Sequence, residues 1–269
     1  MPMDFSPYEA VLLDLDGTIY HEDHAIPGAS DLIRRLRAEG RKYACLTNST
    51  SSPQRIRLRL STMQIEIDAD HIYSAAAATV DYVLEHFANR QPLRVFNLAT
   101  RGVQEMLDGR VEWVNESSLK EHVACDVVIA GAPANVYATP QRQLHAMHLL
   151  RCGAALVGIC ADRLFPTPKW MEFGCGALGA MLAYACNIEP IYCGKPQPLF
   201  FHELCRRLNV RPEKCILIGD NLESDIAGGK GVGMTTALVL SGVTHREHLA
   251  AAPAEKRPGV IFESVRDLV

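Results

Sequence analysis

Apolar residues along this chain come in short closed runs, separated by stretches with one polar face. Runs at 11–13, 43–46, 94–98, 126–130, 155–160, 191–193, 216–218 and 237–240 are too short for helices. They predict strands covered on both faces, because a strand with one wet face alternates polar and apolar residues. Helical patterns fall between them at 29–38, 140–150, 199–208 and 223–228. Punctuation agrees: Thr139 before Pro140 suits a helix start, and Gly40 and Gly153 follow helix ends. Strand and helix alternate throughout, which predicts an α/β fold with parallel sheets. Weak breaks in the pattern fall near 74–78 and 187–190, and no internal repeat or low-complexity segment interrupts it.

Composition narrows the function classes. The 269 residues are 48% hydrophobic and 22% charged, enough for one large domain or two modest ones. Net charge is −4 with no basic block, which argues against a nucleic-acid partner. Nine cysteines include no CxxC pair, and Cys45, Cys125, Cys160 and Cys215 lie in apolar runs. They read as reduced, buried thiols. No apolar run is long enough for a bilayer and the first residues lack a leader pattern, so a cytoplasmic protein without a membrane partner is expected.

Four strand ends carry the chemistry. The run Val11-Leu12-Leu13 leads into Asp14-Leu15-Asp16-Gly17-Thr18. Ligands of open α/β sheets bind beyond the carboxyl ends of strands, where two acids can share a cation and divide nucleophilic from acid–base work. Gly17 allows a tight turn. A calcium loop is excluded, since its sixth and twelfth positions would be Ile19 and Ala25 rather than Gly and Glu. A second strand ends at Thr47-Asn48-Ser49-Thr50, before a helix start that could cradle phosphate. Ordinary helix capping also explains that segment. Gly194-Lys195-Pro196 follows a third run, where the lysine either balances phosphate charge or is merely solvated. The fourth run delivers Gly219-Asp220-Asn221, with Asp225 one helical turn on. This pair suits a hard cation such as Mg2+, or simple helix capping by Asp220.

Taken together, nucleophile, phosphate hydroxyl, lysine and metal acids in this order resemble the haloacid dehalogenase superfamily. Asp14 and Thr47 are 33 positions apart, which leaves no room for a lid; Thr47 and Lys195 are 148 apart, far more than a sheet crossover needs. The interval resembles the superfamily's C2-type cap, most closely the NagD or 4-nitrophenylphosphatase branch. Residues 26–29, 165–167, 174–180, 194–198, 219–226 and 238–244 also resemble that branch. Where the branch often has Asn-Asn after the motif threonine, this chain has Asn48-Ser49. The resemblance implies a Rossmann-like parallel-sheet core, residues 1–76 and 189–269, with an inserted α/β cap at 77–188.

It also implies roles. Asp14 is the nucleophile and Asp16 the general acid and base, with Thr18 orienting Asp16. Mg2+ binds Asp14, the Asp16 carbonyl and Asp220, with Asp225 in an outer position. Thr47 and Lys195 hold phosphoryl oxygens, and Gly17, Thr18, Asn48, Ser49 and Asn221 complete the phosphate site. Asp at position 16 favours transfer to water over the long-lived phosphoenzyme of related ATPases. The expected activity is thus Mg2+-dependent hydrolysis of a small phosphorylated metabolite. Phosphotransfer to another acceptor and a non-catalytic phosphate- or metal-binding module are the alternatives. Asp162, Arg163, Lys169 and Trp170 follow the run at 155–160 and are expected to read the leaving group, although Trp170 could instead pack inside the cap and Arg163 could be merely solvated. Cap-mediated pairing is common in such families, which makes a homodimer one expectation. His145 and His148, like His245 and His248, are three apart and read as solvated helix faces; Trp113 reads as packing.

Overall fold

A computed structural model of the chain describes residues 2–115, 124–167 and 170–269. These divide into two compact units. The first comprises Met1–Thr47, Pro53–Tyr73 and Lys195–Val269; the second comprises Asn48–Ser52 and Ser74–Gly194. The second unit therefore starts three residues before the expected 77 and ends six after the expected 188. It also takes in the five residues after Thr47, because Ser74 and Ala76 bond to the backbone of Ser51 and Ser49.

The first unit is built on a six-stranded sheet. Its order is Val260–Phe262, Thr235–Val239, Cys215–Gly219, Ala10–Asp14, Lys42–Thr47 and Ile72–Ser74. Ala10–Asp14 lies in the middle and pairs in parallel with Cys215–Gly219 on one side and Lys42–Thr47 on the other. Every residue of Ala10–Asp14 and Cys215–Gly219 is buried, as their unbroken apolar runs require. Helix Ala29–Ala38 buries Ala29, Leu32, Ile33 and Leu36, the stripe that its 3.6-residue period predicts. Those side chains join Val11, Leu13, Cys45, Ile216 and Ile218 in one core, so the central strands are anchored from behind.

The second unit has a five-stranded parallel sheet in the order Ile191–Tyr192, Ala155–Gly158, Val127–Ala130, Arg94–Leu98 and Glu112–Trp113. Helices Pro140–Arg151 and Cys175–Cys186 contribute Ala146, Leu149, Leu150, Leu178, Leu182 and Ala183 to its core. A short antiparallel hairpin, Leu164–Pro166 with Met171–Phe173, precedes the second of these helices. No helix among the described residues is long and apolar enough to cross a membrane.

The α/β class with parallel sheets agrees with the sequence pattern, but several elements differ. The helix expected at 223–228 is a single wide turn, Leu222–Ile226, followed by a short helix, Ala227–Gly231. His145 is buried against the Phe96 ring at 4.8 Å, not solvated. It shares the sheet-facing side of its helix with Ala146 and Leu149, and a three-residue spacing cannot reveal which side that is. Trp113 is half-buried, with its indole N–H donating to Asp108 at 2.8 Å.

Candidate active site

Strand register places the motif residues together. Asp14 lies opposite Leu46, so Thr47 is the next residue along the neighbouring strand. Leu13 lies opposite Ile218, so Asp14 is level with Gly219 and one residue short of Asp220. Parallel pairing thus brings Asp14, Thr47 and Asp220 to one edge of the sheet, where ligands of such folds gather. All three are buried, as are Lys195 and Asp225.

Lys195 is the hub. Its ammonium donates to Asp14 Oδ1 at 2.5 Å and to Asp225 Oδ1 at 2.6 Å. Burial alone would lower its pKa, but the charges of Asp14 and Asp225 and its bonds to both hold the pKa above the ordinary lysine value. Asp225 also accepts from the Asn221 backbone N–H at 3.1 Å. Carboxylate oxygens of Asp14, Asp220 and Asp225 lie within 4.8 Å of one another. Three carboxylates facing one ammonium leave buried negative charge. That excess appears at Asp220, whose pKa is pushed up to about 8 by burial and then by Asp14 and Asp225. Asp225 is raised too, because burial and Asp14 outweigh the opposing pull of Lys195. An all-oxygen, negatively charged cluster of this kind could hold a hard cation.

The loop after Asp14 closes onto this cluster. Gly17 has φ +80°, which L residues rarely adopt, and a Cβ there would run into the Asp220 carboxylate. Ser241 donates to the Gly17 carbonyl at 2.8 Å, and the Val243 N–H donates to Asp220 Oδ2 at 2.7 Å. The roles of Ser241 and Val243 were not apparent from the motifs; the Ser-Gly pair just beyond strand Thr235–Val239 was the available signal. Asp16 differs from the other acids in reaching solvent. Partial desolvation still raises its pKa, against the lowering charges of Arg59 and His21. The Thr18 hydroxyl donates to Asp14 Oδ2 at 3.4 Å, where Asp16 was the expected partner.

The remaining motif residues have other engagements. Asn221 Oδ1 caps the following turn by accepting from the Glu223 and Ser224 N–H groups at 2.8 and 3.2 Å. Ser49 Oγ accepts from the Ser51 N–H at 3.2 Å. The Asn48 amide donates to both oxygens of Asp162, at 3.2 and 3.0 Å. In the second unit, Arg163 is exposed. Trp170 is 65% exposed, which excludes the alternative that it packs inside the cap. Lys169 lies outside the described residues.

Comparison with known proteins agrees with this geometry. Family models for a haloacid dehalogenase-like hydrolase and a HAD-hydrolase-like protein match residues 11–110 and 192–268. Haloacid dehalogenase-like hydrolase domain-containing protein 2 of Bos taurus is 31% identical over 238 residues, covering 87% of this chain and 85% of its own. Among solved structures, a 4-nitrophenylphosphatase from Thermotoga maritima superposes with a TM-score of 0.87 at 25% identity, over 98% of this chain and 97% of its own. NagD from E. coli K-12 superposes with a TM-score of 0.83 at 25% identity, over 96% and 97% respectively. The chain belongs to the haloacid dehalogenase-like hydrolases. Within them it is an enzyme of the phosphatase branch that includes NagD and the 4-nitrophenylphosphatases, a phosphoric monoester hydrolase with a Rossmann-like core and a cap.

Proposed function

We propose that this enzyme hydrolyses a small phosphorylated metabolite through a phosphoaspartate on Asp14, with Mg2+ as its metal. One observation carries the reading. Asp14, Asp220 and Asp225 form a buried cluster at parallel strand ends with Lys195 bonded to two of them, and a fourth acid, Asp16, reaches solvent two residues beyond Asp14. In the first step an Asp14 oxygen attacks phosphorus, the bond to the leaving oxygen breaks, and Asp16 protonates that oxygen. In the second, water attacks the phosphoryl group, Asp16 takes its proton, and the bond to Asp14 breaks to release phosphate. The raised pKa of Asp16 suits it to carry that proton. Thr47 and Lys195 stabilise charge on the phosphoryl oxygens. Asp14, the Asp16 carbonyl and Asp220 would hold the ion, with Asp225 acting one layer out by fixing Lys195. When bound, Mg2+ supplies positive charge that brings two anions, nucleophile and phosphoryl group, together.

The direct test is turnover of 4-nitrophenyl phosphate. Chelation should abolish activity and Mg2+ should restore it. Calcium should inhibit, because its looser coordination misplaces nucleophile and phosphorus. Full activity in excess chelator would refute the metal assignment.

Proton linkage gives a second expectation. The unfolded chain releases the Asp220 proton near its ordinary value of 3.8, whereas the folded, metal-free protein keeps it to about 8. The native state therefore binds more protons across this window, and metal-free stability falls as pH rises through it. A bound cation takes the place of the proton, so its stabilisation should grow with pH. Thermal melts with and without Mg2+ should show a larger metal-induced rise in Tm at about pH 8 than at about pH 6. A rise that is equal at both, or larger at the lower pH, would contradict the linkage.

The leaving group needs its own readers, since the acids and Lys195 act on phosphate and metal alone. Arg163 and Trp170, exposed in the second unit, are proposed for this task. Arg163→Ala and Trp170→Ala should change kcat/KM ratios across a panel of phosphate monoesters, with little effect on small esters. Unchanged ratios in a folded variant would remove that residue from the recognition surface.

A further inference from the structure

Asp162 has a different task from its exposed neighbours. Its carboxylate accepts from both directions within the second unit: the Asn48 amide reaches its two oxygens at 3.2 and 3.0 Å, and the Cys160 thiol donates at 3.1 Å. Asn48 is the residue immediately after Thr47. On its other side Asn48 packs against Gly194, the residue immediately before Lys195. A Cβ at Gly194 would lie 2.7 Å from Asn48 Oδ1, 2.8 Å from Cys160 Cβ and 2.9 Å from Ala75 Cβ, closer than such contacts allow. Gly194 is itself fixed, donating its N–H to the Ile159 carbonyl at 2.7 Å.

Of the four points at which the chain passes between its two units, the first is Thr47–Asn48 and the last is Gly194–Lys195. Both residues assigned above to the phosphoryl oxygens thus stand one peptide bond from the same packed node. We propose that Asp162 is a positioning residue for phosphate binding. It orients Asn48, and Asn48 in turn fixes its own backbone and that of Gly194, the residues bonded directly to Thr47 and Lys195. This inference rests on the assignment of Thr47 and Lys195 to phosphate. It gives Asp162 no contact with the leaving group.

The test measures affinity for inorganic phosphate in the presence of Mg2+ by calorimetry, beside kcat/KM for several esters. Hydrogen bonds to an ionised carboxylate are among the stronger ones, so Asp162→Ala and Asn48→Ala should each weaken phosphate binding about tenfold. Each should lower kcat/KM by a common factor whatever the leaving group. The double variant should be no worse than either single one, because both break the same link. Asp162→Asn keeps an acceptor oxygen for Asn48 and should retain most of the affinity, a rescue that general destabilisation would not give. If Asp162→Ala does not fold, Asn48→Ala and Asp162→Asn still make the comparison. Unchanged phosphate affinity with altered ratios between esters would overturn the proposal and make Asp162 a leaving-group contact. Independent, multiplying effects in the double variant would overturn it as well. A wild-type protein that binds phosphate but turns over no ester would refute the phosphatase reading while leaving the positioning test intact.

Discussion

Asp14→Asn should abolish turnover, with a loss of about 10⁴-fold or more. An amide cannot serve as the attacking group, and the substitution also replaces a charge that Lys195 contacts at 2.5 Å. The fold should survive, because the side chain is nearly isosteric and the strand that carries it is held by parallel pairing on both sides. The Mg2+ response should weaken with it, since a carboxylate oxygen of the cluster is lost. The variant is checked by steady-state assay with 4-nitrophenyl phosphate, beside a thermal melt to establish folding. Residual activity above that of the corresponding change at Asp16 would mean that the two acids have been given the wrong roles.

Asp16→Asn should cost roughly 10²–10⁴ in rate and leave metal and phosphate binding nearly intact. The structure supports that separation. Asp16 reaches solvent and lies outside the trio of clustered carboxylates, and only its backbone carbonyl is proposed to meet the metal. The loss should depend on the leaving group. Esters of basic alcohols need a proton in the first step and should suffer most. 4-Nitrophenolate leaves readily without one, so its ester should still phosphorylate Asp14 and then stall, because the water of the second step has lost its base. A burst of one nitrophenolate per site, followed by slow turnover, is the expected time course. An equal loss for all esters and no burst would argue against Asp16 as acid and base.

Much of the core site was legible in the sequence for a specific reason. Strands buried on both faces read as closed apolar runs, and a charged residue directly after such a run marks a strand end. Asp14 stands out in this way, and Asp220 and Lys195 each follow a run after a single glycine. The links between them were not legible. Lys195 meets Asp14 across 181 positions, and Asn48 meets Asp162 across 114. Local periodicity carries no information at such separations, so neither the Lys195–Asp14 pair nor the Asn48–Asp162 bonds can be anticipated from it. Thr18 shows the same limit at short range, since a tight turn at Gly17 decides whether its hydroxyl meets Asp14 or Asp16.

Elements escaped where composition hid their period. Cys175–Cys186 is almost wholly apolar and shows no polar face, and Ala75–His86 opens with four alanines, so its charged positions, Asp81 and Glu85, appear only in its second half. The strands Ile72–Ser74, Leu164–Pro166 and Met171–Phe173 are three residues each, too short for any alternation to register. These elements matter for function. Ser74 caps the helix that packs beside Asn48–Ser52, and the hairpin leads from Asp162 and Arg163 to Trp170.

The proposed reaction passes through a phosphoaspartate on Asp14, and trapping that species tests it most directly. Asp16→Asn protein, loaded with Mg2+ and mixed with 4-nitrophenyl phosphate, would be quenched in acid during the burst and digested for mass spectrometry. The peptide containing Asp14 should carry the mass of one phosphoryl group, and Asp14→Asn protein treated identically should carry none. A burst with no phosphorylated peptide, or phosphate found on any residue other than Asp14, would contradict that route.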